Sequence, residues 1–261
     1  MTTVLVTGAT DGLGRALATR LAGEGATVLA HARSEERGRG ALGELLDGPH
    51  DVRLVVGDLA SLGAVRALAD QLPDRLDVLV NNAGIGFAGG REESEDGYEL
   101  RFAVNYLAGF LLAGLLRDRL VASAPARIVN VASAGQMAID FDDVMLEDGY
   151  DGVRAYCQSK LAQVMHAFDL AEDLGDAGVT ATALHPATYM PTKMVTGAGI
   201  TPASTVQQGL EATWRLVADP ALDGVSGVYF NGTSEARADA QAYDAGARRR
   251  LRELSERLVG S

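Results

Sequence analysis

Thr2-Thr3-Val4-Leu5-Val6 runs straight into Thr7-Gly8-Ala9-Thr10-Asp11-Gly12-Leu13-Gly14, and from there into an amphipathic segment over residues 15–22. A β-branched apolar run, a glycine-rich turn and a helical period read in that order as strand, turn and helix. Glycines let the backbone turn tightly and approach a ligand, while the helix N-terminus offers unpaired N–H groups to a pyrophosphate. The glycine spacing departs from G-x-G-x-x-G, so an ordinary strand-to-helix connection is an equal reading of the turn alone.

Outward from this unit the pattern repeats. Further strands are expected over 26–30, 52–56, 77–80, 127–131, 179–184 and 227–230, separated by helical periods that include a long one over 95–121. Strands alternating with helices predict an α/β fold: a Rossmann-type, doubly wound parallel sheet of about seven strands with helices on both faces. The 261 residues, 47% of them hydrophobic, suffice for one domain over 1–261, with residues 187–203 reading as a mobile substrate lid.

A net charge of -12 argues against a nucleic-acid partner or an anionic membrane surface, because phosphate would be repelled. With neither a signal peptide nor a membrane span in the pattern, a cytoplasmic protein acting on a small molecule is expected. The one cysteine, Cys157, has no internal partner, and His31, His50, His166 and His185 show no metal-ligand spacing, so no metal is expected.

The ends of the expected strands carry the chemistry. After the second come His31-Ala32-Arg33-Ser34, with no acid at the position that usually holds the 2′-hydroxyl of NAD. Arg33, with Ser34 as helper, suits a 2′-phosphate, which favours NADP(H); Asp11 in the glycine turn complicates the choice and leaves NAD(H) as the alternative. Asp58, followed by Leu59, is placed to accept from an adenine amino group or to cap the helix near Ser61. Asn81-Asn82-Ala83-Gly84 can bond backbone while a flat ring lies close, and is also a plain turn. Asn105 falls inside an apolar helical pattern, where it needs partners and can hold a distorted turn or a water. The fifth strand delivers Ser133, and the sixth ends at His185-Pro186.

Tyr156-Cys157-Gln158-Ser159-Lys160 puts a phenol four residues before an ammonium on one helix face. A nearby cation favours the phenolate and would lower its pKa by roughly one to three units, bringing acid/base chemistry within reach; a surface pair has the same spacing. The chain has only two lysines, Lys160 and Lys193, among 23 basic residues, which singles out a compact ammonium here.

Taken together, residues 7–14, Asn81 to Gly84, Ser133 and Tyr156 with Lys160 resemble the short-chain dehydrogenase/reductase family over essentially the whole chain. His31-Ala32-Arg33, residues 139–143, 156–161 and 251–258 look most like its branch of retinol dehydrogenases and WW-domain oxidoreductases. The resemblance implies Tyr156 as proton donor or base, Ser133 as partner of the same substrate oxygen, Lys160 as phenol-acidifying and ribose-binding, and Asn105 as holder of a water behind the lysine. It implies cofactor contacts from Gly8, Thr10, Asp11, Gly12, Leu13, Gly14, Asn82, Ala83, Gly84, Pro186, Ala187 and Thr188, and a homodimer or homotetramer. The family's usual Pro-Gly is Pro186-Ala187 here, and the threonine that follows it aligns with either Thr188 or Thr192.

The expected activity is hydride transfer between a nicotinamide and a carbonyl or secondary alcohol of a moderately apolar molecule. Two other classes compete: an epimerase or dehydratase on a nucleotide sugar, for which the chain is short, and a non-catalytic nucleotide sensor, which would not need both Tyr156 and Lys160.

Overall fold

The computed structural model describes residues 2–260; Met1 and Ser261, the outermost residues of the expected domain, lie outside the described residues. Eight strands form one sheet: β1 (Thr3–Val6), β2 (Thr27–Ala32), β3 (Val52–Val56), β4 (Val78–Asn81), β5 (Ala126–Val131), β6 (Val179–His185), β7 (Val228–Asn231) and β8 (Ser234–Ala236). Their order is β3-β2-β1-β4-β5-β6-β7-β8, with every pair parallel except the last. The helices are α1 (Gly12–Gly23), α2 (Glu35–Leu46), α3 (Leu62–Asp70), α4 (Ala108–Leu115), α5 (Arg117–Ala122), α6 (Gly152–Leu174), α7 (Lys193–Gly197), α8 (Val206–Ala218) and α9 (Ala245–Gly260).

Parallel strands covered on both faces read as continuous apolar runs, and β1 and β4 are buried from end to end. Their side chains alternate between two cores. Leu5, Leu29, Leu79 and Ile128 pack with Val65, Leu112 and Leu161 on one face; Val4, Val28, Val80 and Val129 pack with Leu17, Leu42 and Leu216 on the other. Ser34, Ser61, Asp151 and Thr205 cap α2, α3, α6 and α8, Thr205 through a reciprocal capping box with Gln208. Strand order reverses at β1, which lies between β2 and β4, so the carboxyl ends of β1 and β4 open a crevice where ligands meet such sheets.

Two expectations need correction. The sheet has an eighth strand, β8, whose three residues are too few and too polar for any apolar period. The long helix expected over 95–121 begins later and is broken. Gly97, at φ 80, turns the chain at its expected start, and Glu99 accepts from the N–H of Phe102 at 2.7 Å. Residues Phe102–Leu107 then form a π-helical turn before α4 and α5. The segment expected as a lid carries the short helix α7 and lies against the glycine turn and the loop after β4. Cβ atoms built on Gly12 and Gly86 would stand 2.6 Å from Thr192 and 2.7 Å from Met194.

Candidate active site

The glycine turn leaves no room for side chains. Gly8 has φ 67 and Gly12 φ 48, and a Cβ on Gly14 would lie 2.3 Å from the Gly8 carbonyl oxygen. Asp11 stands at the N-cap of α1, yet its side chain makes no capping bond, which leaves the first-turn N–H groups to an anion. Leu13 and Leu59 contribute backbone only, because both side chains are buried in the cores. Thr10 is half-buried beside the turn.

Residues that sequence reasoning passed over hold this turn. Thr7 donates its hydroxyl to Val80 O and accepts from the N–H groups of Asn82 (2.9 Å) and Ala83 (3.0 Å), tying β1 to β4. Asn82, already expected at this site, points its amide nitrogen back at the turn, donating to Thr7 O at 2.8 Å, so its side chain braces the cradle. His31 is buried; its Nδ1 accepts from Gly8 N–H at 3.0 Å, so Nε2 carries the proton toward Gly57 O at 2.8 Å. That neutral tautomer fits the lowered pKa that burial imposes. A histidine ending an apolar strand opposite a glycine turn was the available signal, but a metal-ligand spacing does not reveal a backbone brace.

Arg33 is exposed just past the carboxyl end of β2. Ser34 is engaged as the cap of α2, accepting from Arg37 N–H at 3.3 Å. Asp58 closes its own turn by accepting from Ala60 N–H at 3.0 Å, and Ser61 caps α3 in its place.

Four groups converge at the ends of β4, β5 and α6. Ser133 Oγ accepts from Gly135 N–H at 3.0 Å, leaving its own proton free to donate. Burial pushes the pKa of the Tyr156 phenol up, and the neighbouring Ser133 hydroxyl works in the opposite direction. Lys160, 4% exposed, donates from Nζ to Val131 O at 3.0 Å and Gln163 Oε1 at 2.8 Å, and its pKa is pushed down by burial to about 7. Its Nζ stands 5.7 Å from the centre of the Tyr156 ring. Burial works against the charged form of both groups, and the lysine donates to a backbone carbonyl and to the Gln163 side-chain amide. Gly84 lies beside them, where a Cβ would be 3.4 Å from Lys160 Nζ and 3.2 Å from Asn105 Oδ1.

Asn105 sits in the π-helical turn and joins three segments. Its side chain accepts from Ile85 N–H (2.7 Å) and donates to Ile85 O (3.1 Å) and Ser159 Oγ (2.9 Å). The loop after Gly84 is fastened further by Arg101, a buried residue that donates to the carbonyls of Gly86 (2.9 Å) and Gly90 (3.3 Å). Phe87 in that loop meets Tyr156 edge-on at 6.0 Å. Cys157 is buried with its thiol pKa raised, as suits packing.

At the end of β6, Pro186 is buried and Ala187 half-buried. Alanine in place of the family glycine does not force Ala187 into the left-handed region; Tyr189, two residues on, takes φ 48. The Thr188 hydroxyl pairs with His185 Nε2 at 3.1 Å, while Thr192 caps α7 by position and lies against Gly12. Among the described residues no cluster of three or more His, Cys, Asp or Glu could hold a metal, and no helix is long and apolar enough to cross a membrane.

The short chain dehydrogenase model matches residues 2–203, from β1 through the lid. The chain belongs to the short-chain dehydrogenase/reductase family. It is 38% identical to mouse retinol dehydrogenase 13 over 99% of its own length and 84% of that protein's. An uncharacterised protein from Mycobacterium paratuberculosis superposes with a TM-score of 0.82 at 29% identity, covering 100% of this chain and 94% of that one. A candidate NAD(P) dependent gluconate 5-dehydrogenase from Beutenbergia cavernae, with NADP bound at low occupancy, superposes with a TM-score of 0.68 at 30% identity over 88% of this chain and 94% of its own. This short-chain dehydrogenase/reductase is thus an NAD(P)-dependent oxidoreductase of a small molecule. The tight glycine turn, the uncapped start of α1 and the lysine beside Gly84 fit a nicotinamide dinucleotide along the crevice.

Proposed function

We propose that the protein is an NADPH-dependent reductase, and in reverse a dehydrogenase, of a moderately apolar carbonyl or secondary alcohol. One observation carries the reading: the half-buried phenol of Tyr156, held in its neutral form by burial, shares the surroundings of Gly135 with the Ser133 hydroxyl, whose oxygen already accepts from Gly135 N–H, at the carboxyl edge of the sheet. When bound, the nicotinamide supplies or accepts the hydride at the carbonyl carbon. Tyr156 gives its proton to the carbonyl oxygen as charge develops there, and Ser133 donates to the same oxygen.

Lys160 holds the ribose. Two of its donors already go to Val131 O and Gln163 Oε1, so a third N–H for a ribose hydroxyl exists only on the ammonium. Binding therefore draws a proton onto Lys160 and restores a positive charge beside the phenol. Asn105 keeps Gly84 and Ile85 in place behind the lysine, and a water there would link it to solvent. Apolar Phe87, edge-on to Tyr156, and Met194, against Gly86, favour an uncharged substrate. Because the relatives are named for retinol, retinol and its aldehyde head the panel of substrates to try.

Arg33 is the proposed clamp on a 2′-phosphate, and the absence of an acid at 31–34 supports NADPH over NADH. The test compares kcat/KM with NADPH and NADH on one carbonyl before and after Arg33→Ala. Loss of a charge-assisted contact should cost NADPH about tenfold to a hundredfold and leave NADH nearly unchanged. A starting preference for NADH would contradict the assignment. We further propose a cytoplasmic protein that works as a homodimer or homotetramer.

A further inference from the structure

Ser133 is held from behind by a part of the chain beyond the matched residues 2–203. Its carbonyl oxygen accepts two hydrogen bonds, from the Tyr229 phenol of β7 at 3.0 Å and from Gln136 Nε2 at 2.8 Å. Gln136 is fixed in turn, since its Oε1 accepts from Asp239 N–H at 2.9 Å. Gln241 brackets Ile139, three residues past Gln136, accepting from its N–H at 2.6 Å and donating to its carbonyl at 3.1 Å, as a neighbouring strand would. Asp239 completes the support by capping the turn that presents Gln241, whose N–H it accepts at 2.9 Å. The loop leaving β5 is thus fastened at two points to the segment just after β8.

We propose that Tyr229 and Gln136 are positioning residues for the reaction, setting the Ser133 backbone so that its hydroxyl meets the substrate oxygen, with the segment around Asp239 and Gln241 as their anchor. The inference rests on the role proposed for Ser133 in proton donation. Tyr229 suits this role because it is 3% exposed and burial pushes its pKa up to about 12, so it remains an O–H donor throughout the working pH range. Neither residue needs to touch substrate. The loop they hold begins with Gly135, whose N–H occupies the Ser133 acceptor site and leaves the serine proton pointing elsewhere. A shift of the Ser133 backbone would spoil that contact and move the hydroxyl relative to Tyr156.

The test is a double-mutant cycle on the full chain, using whichever panel carbonyl is reduced with NADPH. Tyr229→Phe keeps the ring and removes the donor; it should lower kcat about fivefold, with the KM for NADPH and the melting temperature unchanged. Gln136→Leu should behave the same way and serves if the first variant folds poorly. On a Ser133→Ala background, Tyr229→Phe should cost nothing more, because the group it positions is gone; a merely structural residue would repeat its loss there. Full kcat in both single variants, or an undiminished loss on the Ser133→Ala background, would overturn the proposal. Wild-type turnover by Ser133→Ala alone would instead overturn the role given to Ser133, so the two failures are told apart.

Discussion

Tyr156 and Lys160 share one helix face four residues apart, and burial pushes both toward neutrality: the phenol keeps its proton more firmly and the amine holds its own less. A pair poised this way needs the cofactor to complete its charge. Burial pushes the Lys160 pKa down to about 7, and the proposed ribose contact through a third N–H needs the ammonium, so loading the nicotinamide cofactor should take up a proton above that pH. At about pH 8.5, calorimetry in buffers of different ionisation heat should show uptake approaching one proton, falling toward none near pH 5.5 where the ammonium already exists. The uptake should vanish in Lys160→Met. A wild-type protein that takes up no proton at the higher pH would contradict this account of the lysine. Spacing alone showed the two residues on one face; it could not show which acceptors the amine would find. Val131 O and Gln163 Oε1 come together only when β5 packs against α6.

Among the elements, strands β1 to β7 were legible because a buried parallel strand is a nearly unbroken β-branched run, and the glycine turn because only glycine fits Gly8 against Ala83 and Gly14 against the Gly8 carbonyl. The π-helical turn was not. Its apolar period over 102–107 resembles that of an α-helix, and the widening comes from Asn105 bonding both polar groups of Ile85, twenty residues earlier. Asn105→Leu should therefore leave Ile85 N–H and C=O without these partners, each costing about 1–3 kcal/mol where buried, and loosen the loop after β4. The expected result is a lower denaturation midpoint together with faster amide exchange at Ile85. Unchanged protection there would mean that the turn does not depend on Asn105. The eighth strand escaped notice for the opposite reason, since three residues, two of them exposed and polar, carry no period at all.

For the molecule as a whole, α9 returns to cover the helices that flank the site. Ser255 Oγ meets the Tyr106 hydroxyl at 2.7 Å, Leu251 is 2% exposed, and Arg252 pairs with Asp169 at 2.9 Å while Arg248 joins Asp169 and Glu172. Beneath lie Tyr106, Phe110 and His166, packed ring against ring. Deleting residues 245–260 uncovers that aromatic cluster and the Tyr106 hydroxyl, a loss on the order of several kcal/mol. The truncated chain should melt well below the full one and self-associate on a sizing column; an unchanged melting temperature would show that α9 is an appendage. The docking face of α9 depends on side chains more than seventy residues away in sequence.

The account turns on a proton leaving one phenol. The most direct measurement is single-turnover hydride transfer from NADPH in wild type and Tyr156→Phe, followed by the loss of NADPH absorbance, with NADPH affinity measured in parallel. Removal of the proton donor should slow the step by about a hundredfold to ten-thousandfold while the affinity changes by less than about threefold. Hydride transfer at the wild-type rate in the phenylalanine variant would contradict the central claim.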